Sequence, residues 1–234
     1  MKRFLPHFVL IVALAMALSA LPIESVNGQS AGLVSSVLSR MERNRQNLKS
    51  LRASISMEKY NVQLGVSEHY RGTVLYVPSG ARQASVRIEW QSPQHEILAV
   101  SNGKYKLFRP RLNVVYEGNA RSTRDKGGAG SILELMYLSR QQLEQRFQPI
   151  QDVREETLWG NVSTIHLKLV PKGNASFKYA EIWVDSSGMP VQTKIVEKNN
   201  DSTTMRLTAT QRNIRIPSDQ FNLKLDSSVK VVKG

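Results

Sequence analysis

The sequence predicts a mainly β protein with helical covers, an α+β fold whose antiparallel meander curls into a barrel or half-barrel. Three observations predict it. Apolar and polar residues alternate in step from about residue 52 onward, the mark of a sheet with one dry face. Asn-Gly and similar turn pairs punctuate those runs at short intervals, as consecutive hairpins require. Two stretches depart from the alternation, one before the sheet and one within it.

The first is residues 30–50. Leu33, Val34, Val37, Leu38, Met41, Leu48 and Leu51 recur at helical spacing, with Arg40, Arg43, Arg45 and Lys49 filling much of the remainder. An ordinary apolar stripe of this kind predicts a helix packed on its own sheet rather than one lying on a membrane. The strands follow. Val86, Ile88 and Trp90 alternate with Arg87, Glu89 and Gln91; Ile165, Leu167 and Leu169 with His166 and Lys168; Met205, Leu207 and Ala209 with Arg206, Thr208 and Thr210. Asn102-Gly103 joins strands at 96–101 and 104–108. Gly160-Asn161, Ser186-Ser187-Gly188 and Asn199-Asn200-Asp201 join the later ones.

The second departure splits the meander. A polar, Gly-rich loop spans 118–130, and 131–137 and 140–147 then read as helical, with Ile132, Leu133, Leu135, Met136 and Leu138 close together. A curled sheet must have one face covered, and the two helical stretches are the available covers. A loose fit beneath them leaves an apolar cavity.

The chain's start reads as an export signal. Lys2 and Arg3 precede an apolar run from Phe8 to Leu21, and Pro22 ends it. This layout predicts a cleavable signal peptide over residues 1–28, and the run is short for a membrane span of ~20 residues. Residues 29–234 then form a single domain. With no cysteine in the chain, disulfides are excluded, and so is the acylated cysteine of a bacterial lipoprotein. The net charge is +13; Lys2, Arg3 and Glu24 together carry +1, so the remainder keeps +12. Such a surface favours anionic partners, but the basic residues are dispersed and export argues against nucleic acid.

Catalytic constellations do not assemble. His69, His95 and His166 lack metal-ligand spacing. Ser101 and Lys104 have the Ser-x-x-Lys spacing but straddle a hairpin turn instead of opening a helix. Glu155 and Glu156 are strand neighbours that point to opposite faces. The glycines of 127–130 lack the Gly-Lys-Ser/Thr ending of a phosphate loop. The reading is a binding protein, with no enzyme activity and no cofactor.

Motif order adds a resemblance. Gly72-Thr73-Val74-Leu75-Tyr76-Val77-Pro78 is followed by Arg87-Ile88-Glu89-Trp90-Gln91-Ser92-Pro93 and by Ile97-Leu98-Ala99-Val100-Ser101-Asn102-Gly103-Lys104. Leu167-Lys168-Leu169-Val170-Pro171, Ala180-Glu181-Ile182-Trp183-Val184-Asp185 and Asn213-Ile214-Arg215-Ile216-Pro217 come later. In this order the motifs resemble the LolA family of periplasmic carriers of outer-membrane lipoproteins.

The resemblance implies an open, incomplete antiparallel β-barrel, closed by an N-terminal helix and a short helical insert, that holds acyl chains inside. It implies a periplasmic monomer that takes lipidated proteins or lipids from an inner-membrane lipoprotein-releasing transporter to an outer-membrane acceptor. Leu75, Val86, Ile88, Trp90, Leu98, Val100, Leu107, Leu133, Met136 and Trp183 are the expected cavity lining. The family usually places an Arg before the first motif's proline, where it pins the lid closed. Val77 stands there here, which leaves Arg82 or Arg87 as the latch. A sensor or regulatory module that binds lipidated or membrane-protein partners would use the same scaffold.

Overall fold

A computed structural model describes residues 27–79, 84–120, 135–150 and 152–233. Residues 1–26 of the expected signal, Arg82, the Gly-rich stretch 121–130 and Leu133 lie outside them.

Helix α1 runs Asn27–Asn47, and Val37, Leu38 and Met41 form its buried stripe. It lies about one turn earlier than the span that the apolar spacing predicts, and Leu51, expected on its stripe, opens the first strand instead. Strands β1 (Leu51–Asn61), β2 (Val66–Pro78), β3 (Ala84–Ser92), β4 (Glu96–Ser101), β5 (Lys104–Arg109) and β6 (Val114–Asn119) follow. A short helix α2 (Arg140–Arg146) separates them from β7 (Val153–Leu158), β8 (Val162–Leu169), β9 (Phe177–Asp185), β10 (Pro190–Glu197), β11 (Ser202–Arg212) and β12 (Lys230–Lys233). All are in one twelve-stranded sheet, ordered β12-β6-β5-β4-β3-β2-β1-β11-β10-β9-β8-β7. Every pairing is antiparallel except β12 with β6, which is parallel. Edge strands β7 and β12 do not pair with each other, so the barrel is open, as expected.

The turns follow from their residues. Asn102 and Gly103 both sit at positive φ, 51° and 73°, as a two-residue hairpin turn with the twist of its strands demands. Gly188 has φ 84°, and a Cβ there would stand 2.3 Å from the Arg40 carbonyl oxygen of α1. Only glycine lets that turn seat the helix so closely.

Ladder partners share a face, which sorts the core into two layers. Leu51, Ala53, Ile55 and Met57 of β1 lie opposite Tyr76, Val74, Gly72 and Tyr70 of β2. That face continues through Val86, Ile88 and Trp90 and through Met205, Thr193, Ile182 and Leu167. The main apolar cluster fills it, together with α1 and residues 135–147. On the other face, Leu75, Ile97, Ala99 and Val115 are buried outside that cluster. Their cover includes the 3-10 turn Ser218–Phe221, with Phe221 buried and Arg87 donating from Nη1 to the Gln220 carbonyl at 3.1 Å.

Candidate functional site

The helix-covered face is the candidate site. Trp90 and Ile88 are buried there, and Val86 and Leu98 pack against the same cluster. Val100 and Leu107 belong to the face by register and are half-buried. Tyr70 meets Trp90 edge-on with centroids 5.7 Å apart, fixing the indole at one end of the face. Met57 and Met205 are direct ladder partners, and Met136 belongs to the same cluster from the cover; all three are buried. Thioether side chains adapt to more than one packing, which suits a lining that must accept and release a guest.

Two expected lining residues stand on the opposite ladder parity, although Trp183 still belongs to the main apolar cluster. Trp183 pairs with His166 and Gln192, on the ladder parity opposite to Ile182 and Leu167. It packs on the fully buried His166 ring at 4.8 Å, while His166 Nε2 meets a Glu181 carboxylate oxygen at 3.2 Å. Leu75 pairs with Arg52 and Arg87 on the outer face and is buried outside the main apolar cluster. Apolar character alone points both to the cavity, but this sheet buries apolar residues on both faces.

The expected latch residue Arg87 does not face the helical cover either. It stands on that outer face, paired with Glu89 at 2.8 Å and with the Gln220 carbonyl. The cover is fastened by groups that carry no sequence signal. Tyr76, one residue before Val77, stacks on Tyr137 at 4.2 Å and 13°. Burial pushes the Tyr76 phenol up to about 12 and the Tyr137 phenol upward as well. Among the described residues the buried Tyr137 hydroxyl has no partner. Leu135, Met136 and Leu138 flank it, all buried. Next along the chain, Ser139 caps α2: its hydroxyl accepts from the Gln142 N–H, and its own N–H donates to the Gln142 side chain. This reciprocal cap is legible as Ser-x-x-Gln.

Glu42 of α1 ties the two covers together. It accepts from Arg45 at 2.6 Å and from Gln46, and it accepts the Arg140 N–H at 3.2 Å. The Arg45 hydrogen bond holds its carboxyl down at about 2, against the opposing effect of burial. Between α1, α2 and β8 a groove of about 480 Å³ opens, floored by Leu38, Leu143, Phe147, Ile150 and Leu169, with Arg140, Glu144 and Lys172 also lining it. That is about three times the volume of an engineered apolar cavity that holds benzene, and so on the scale of one long alkyl chain. Among the described residues no His, Cys, Asp or Glu group is arranged to hold a metal ion.

Comparison with known proteins agrees with this architecture. The family model for outer membrane lipoprotein carrier protein LolA matches residues 46–224. No curated protein matches the chain. Among solved structures, an uncharacterized conserved protein from Thermus thermophilus has a TM-score of 0.52 at 13% identity, covering 86% of this chain and 99% of that one. The MucA/MucB complex of Pseudomonas aeruginosa gives 0.50 at 12% identity, over 85% of this chain and 62% of that one. A LolA superfamily protein from Nitrosomonas europaea gives 0.41 at 12% identity, over 81% and 97%. At these identities the likeness to the first two speaks for the fold alone, and nothing is argued from the third.

Proposed function

This chain belongs to the LolA family, and from that premise we propose that it carries the acyl chains of lipidated proteins through the periplasm toward the outer membrane. The partners of this reading are an inner-membrane lipoprotein-releasing transporter and an outer-membrane acceptor. No catalytic step is part of it.

The observation that carries the proposal is the fastening of the cover over the Trp90 face. An acyl chain of ~14 carbons gains roughly 10 kcal/mol on leaving water. A carrier must match that stabilisation and still let the chain go. A cover closed by a stacked tyrosine pair is stable, but burying the Tyr137 hydroxyl without a partner costs about 1–3 kcal/mol. The closed form is therefore held only moderately, and opening hydrates that hydroxyl. The buried methionines Met57, Met136 and Met205 supply a lining that repacks around a guest.

The test is acyl-chain binding by W90E and M136E, each checked for folding by circular dichroism. A folded variant that no longer takes up a fluorescent fatty acid is the expected result. Retained uptake in a folded variant would remove the acyl chain from this face. Gentle purification from the periplasm then separates cargo classes: a carrier brings down lipidated proteins, whereas a regulatory module brings down one membrane partner.

A further inference from the structure

The hairpin joining β1 to β2 carries an apolar tip with no role in the carrier reading. Tyr60, Val62, Leu64 and Val66 are 38%, 41%, 73% and 51% exposed. The last β2–β3 ladder pair is Arg71 with Ser92. Residues Val66–Tyr70 therefore run past β3, and at ~3.4 Å per residue the tip projects by roughly 17 Å on that side. On the other side the β10–β11 turn supports it, with Asp201 accepting the Val62 N–H at 2.9 Å and an Asn61 side-chain N–H at 3.4 Å.

The tip is partly self-satisfied. Gly65 N–H donates to the Asn61 carbonyl at 3.0 Å, and Leu64 N–H donates to the Asn61 side-chain oxygen at 2.9 Å. Backbone donors that are already paired make the turn cheaper to move into an apolar medium.

The exposed side chains also surround the tip. Tyr60 and Val66 lie on opposite faces of the hairpin, because Tyr60 pairs with Ser67 and Val66 pairs with Asn61. Val62 and Leu64 stand in the turn between them. A partner protein with a flat apolar face would bury one side of such a tip. A lipid surface buries all of it. Behind the tip the charges are mixed: Glu58 accepts from the Ser67 hydroxyl, Glu68 from the Tyr70 hydroxyl, and Lys59 lies over the Tyr70 ring. That polar collar limits the depth to the headgroup boundary and selects no headgroup sign.

We propose that the 60–66 hairpin tip is a membrane wedge, which inserts Val62, Leu64 and Val66 into the interfacial layer of a phospholipid bilayer. It acts separately from the Trp90 face and sets where the protein touches a membrane.

The absence of cysteine makes the test clean. L64C and K104C are each labelled with an environment-sensitive fluorophore; Lys104 is exposed and opens β5 at the other end of the sheet. Protein-free vesicles of phosphatidylethanolamine and phosphatidylglycerol are then added. Emission at 64 should rise severalfold and move to the blue, with no change at 104. V62S/L64S/V66S should weaken the tip's vesicle binding about tenfold or more. An unchanged spectrum at 64, or equal shifts at both labels, would overturn the wedge. So would a shift seen with envelope membrane vesicles and lost with protein-free lipid, which assigns the tip to a protein. Uptake of free fatty acid is measured without vesicles, so the wedge and the carrier reading can fail independently.

Discussion

Tyr76 and Tyr137 stack 4.2 Å apart and nearly parallel, and this contact joins strand β2 to the cover of the concave face. Aromatic pairs add about 0.5–1.5 kcal/mol beyond the area they bury. The buried Tyr137 hydroxyl offsets much of that gain. Y137F keeps the ring and removes the unpaired group. It is expected to raise the melting temperature by about 2–4 °C and to slow fatty-acid uptake. Y76A should do the reverse on both counts. Calorimetry and stopped-flow uptake measure the two effects, and a lowered melting temperature in Y137F would show that the hydroxyl contributes to the fold.

Glu42 makes the seating of the covers sensitive to acid. Its folded carboxyl lies at about 2, below the ordinary 4.5, so folding favours the charged form. The stability it contributes is present above about pH 4.5 and is lost as pH falls toward about 2. Allowing for the water that reaches this partly exposed pair, the loss is on the order of 1 kcal/mol. In wild type the urea midpoint should drop between pH 5 and pH 3 by more than in E42Q, over the window those values set. Equal slopes in the two proteins would detach Glu42 from acid stability.

Gly188 tests how tightly α1 must sit. A Cβ there meets the Arg40 carbonyl oxygen at 2.3 Å, at φ 84°. G188A should cost more than about 2 kcal/mol, from strain and displacement together. G65A is the control: Gly65 has φ 64° but open space around it, so only the conformational cost of about 1 kcal/mol remains. Loosening of α1 by G188A should also speed tryptic cleavage at Arg40, Arg43 and Arg45. Similar urea midpoints for G188A and G65A would mean that the helix gives way freely.

Local features of the fold are legible in the sequence because short-range chemistry dictates them. Asn102-Gly103 demands a hairpin, and the alternation Val86-Ile88-Trp90 assigns a face. Strand β12 is not legible, because its parallel pairing with β6 joins Lys230–Lys233 to Val114–Glu117 and leaves no local pattern. The face of Trp183 is hidden for another reason. Ile182, Trp183 and Val184 are consecutive and all buried, so no polar alternation marks which side is which. Leu75 is ambiguous likewise, since it and its neighbour Val74 are both buried, on opposite faces of the sheet. The Tyr76–Tyr137 fastening leaves no trace either, because two tyrosines about sixty residues apart carry no spacing signal.

The three tryptophans turn the assignment of faces into a measurement. Trp90 is buried on the concave face, Trp183 is buried on the opposite face, and Trp159 is 86% exposed in the β7–β8 turn. Single-tryptophan proteins, made by Phe substitution at the other two positions, each report one location. A brominated fatty acid quenches only an indole that its chain approaches. Trp90 emission should fall strongly on binding, Trp159 emission should stay nearly constant, and Trp183, of opposite ladder parity, should be quenched much less than Trp90. The Trp183→Phe change should leave uptake unaffected, which W90E should not. If Trp183 were quenched as strongly as Trp90, the acyl chain would have to lie against the outer face, and the covered face would be ordinary core.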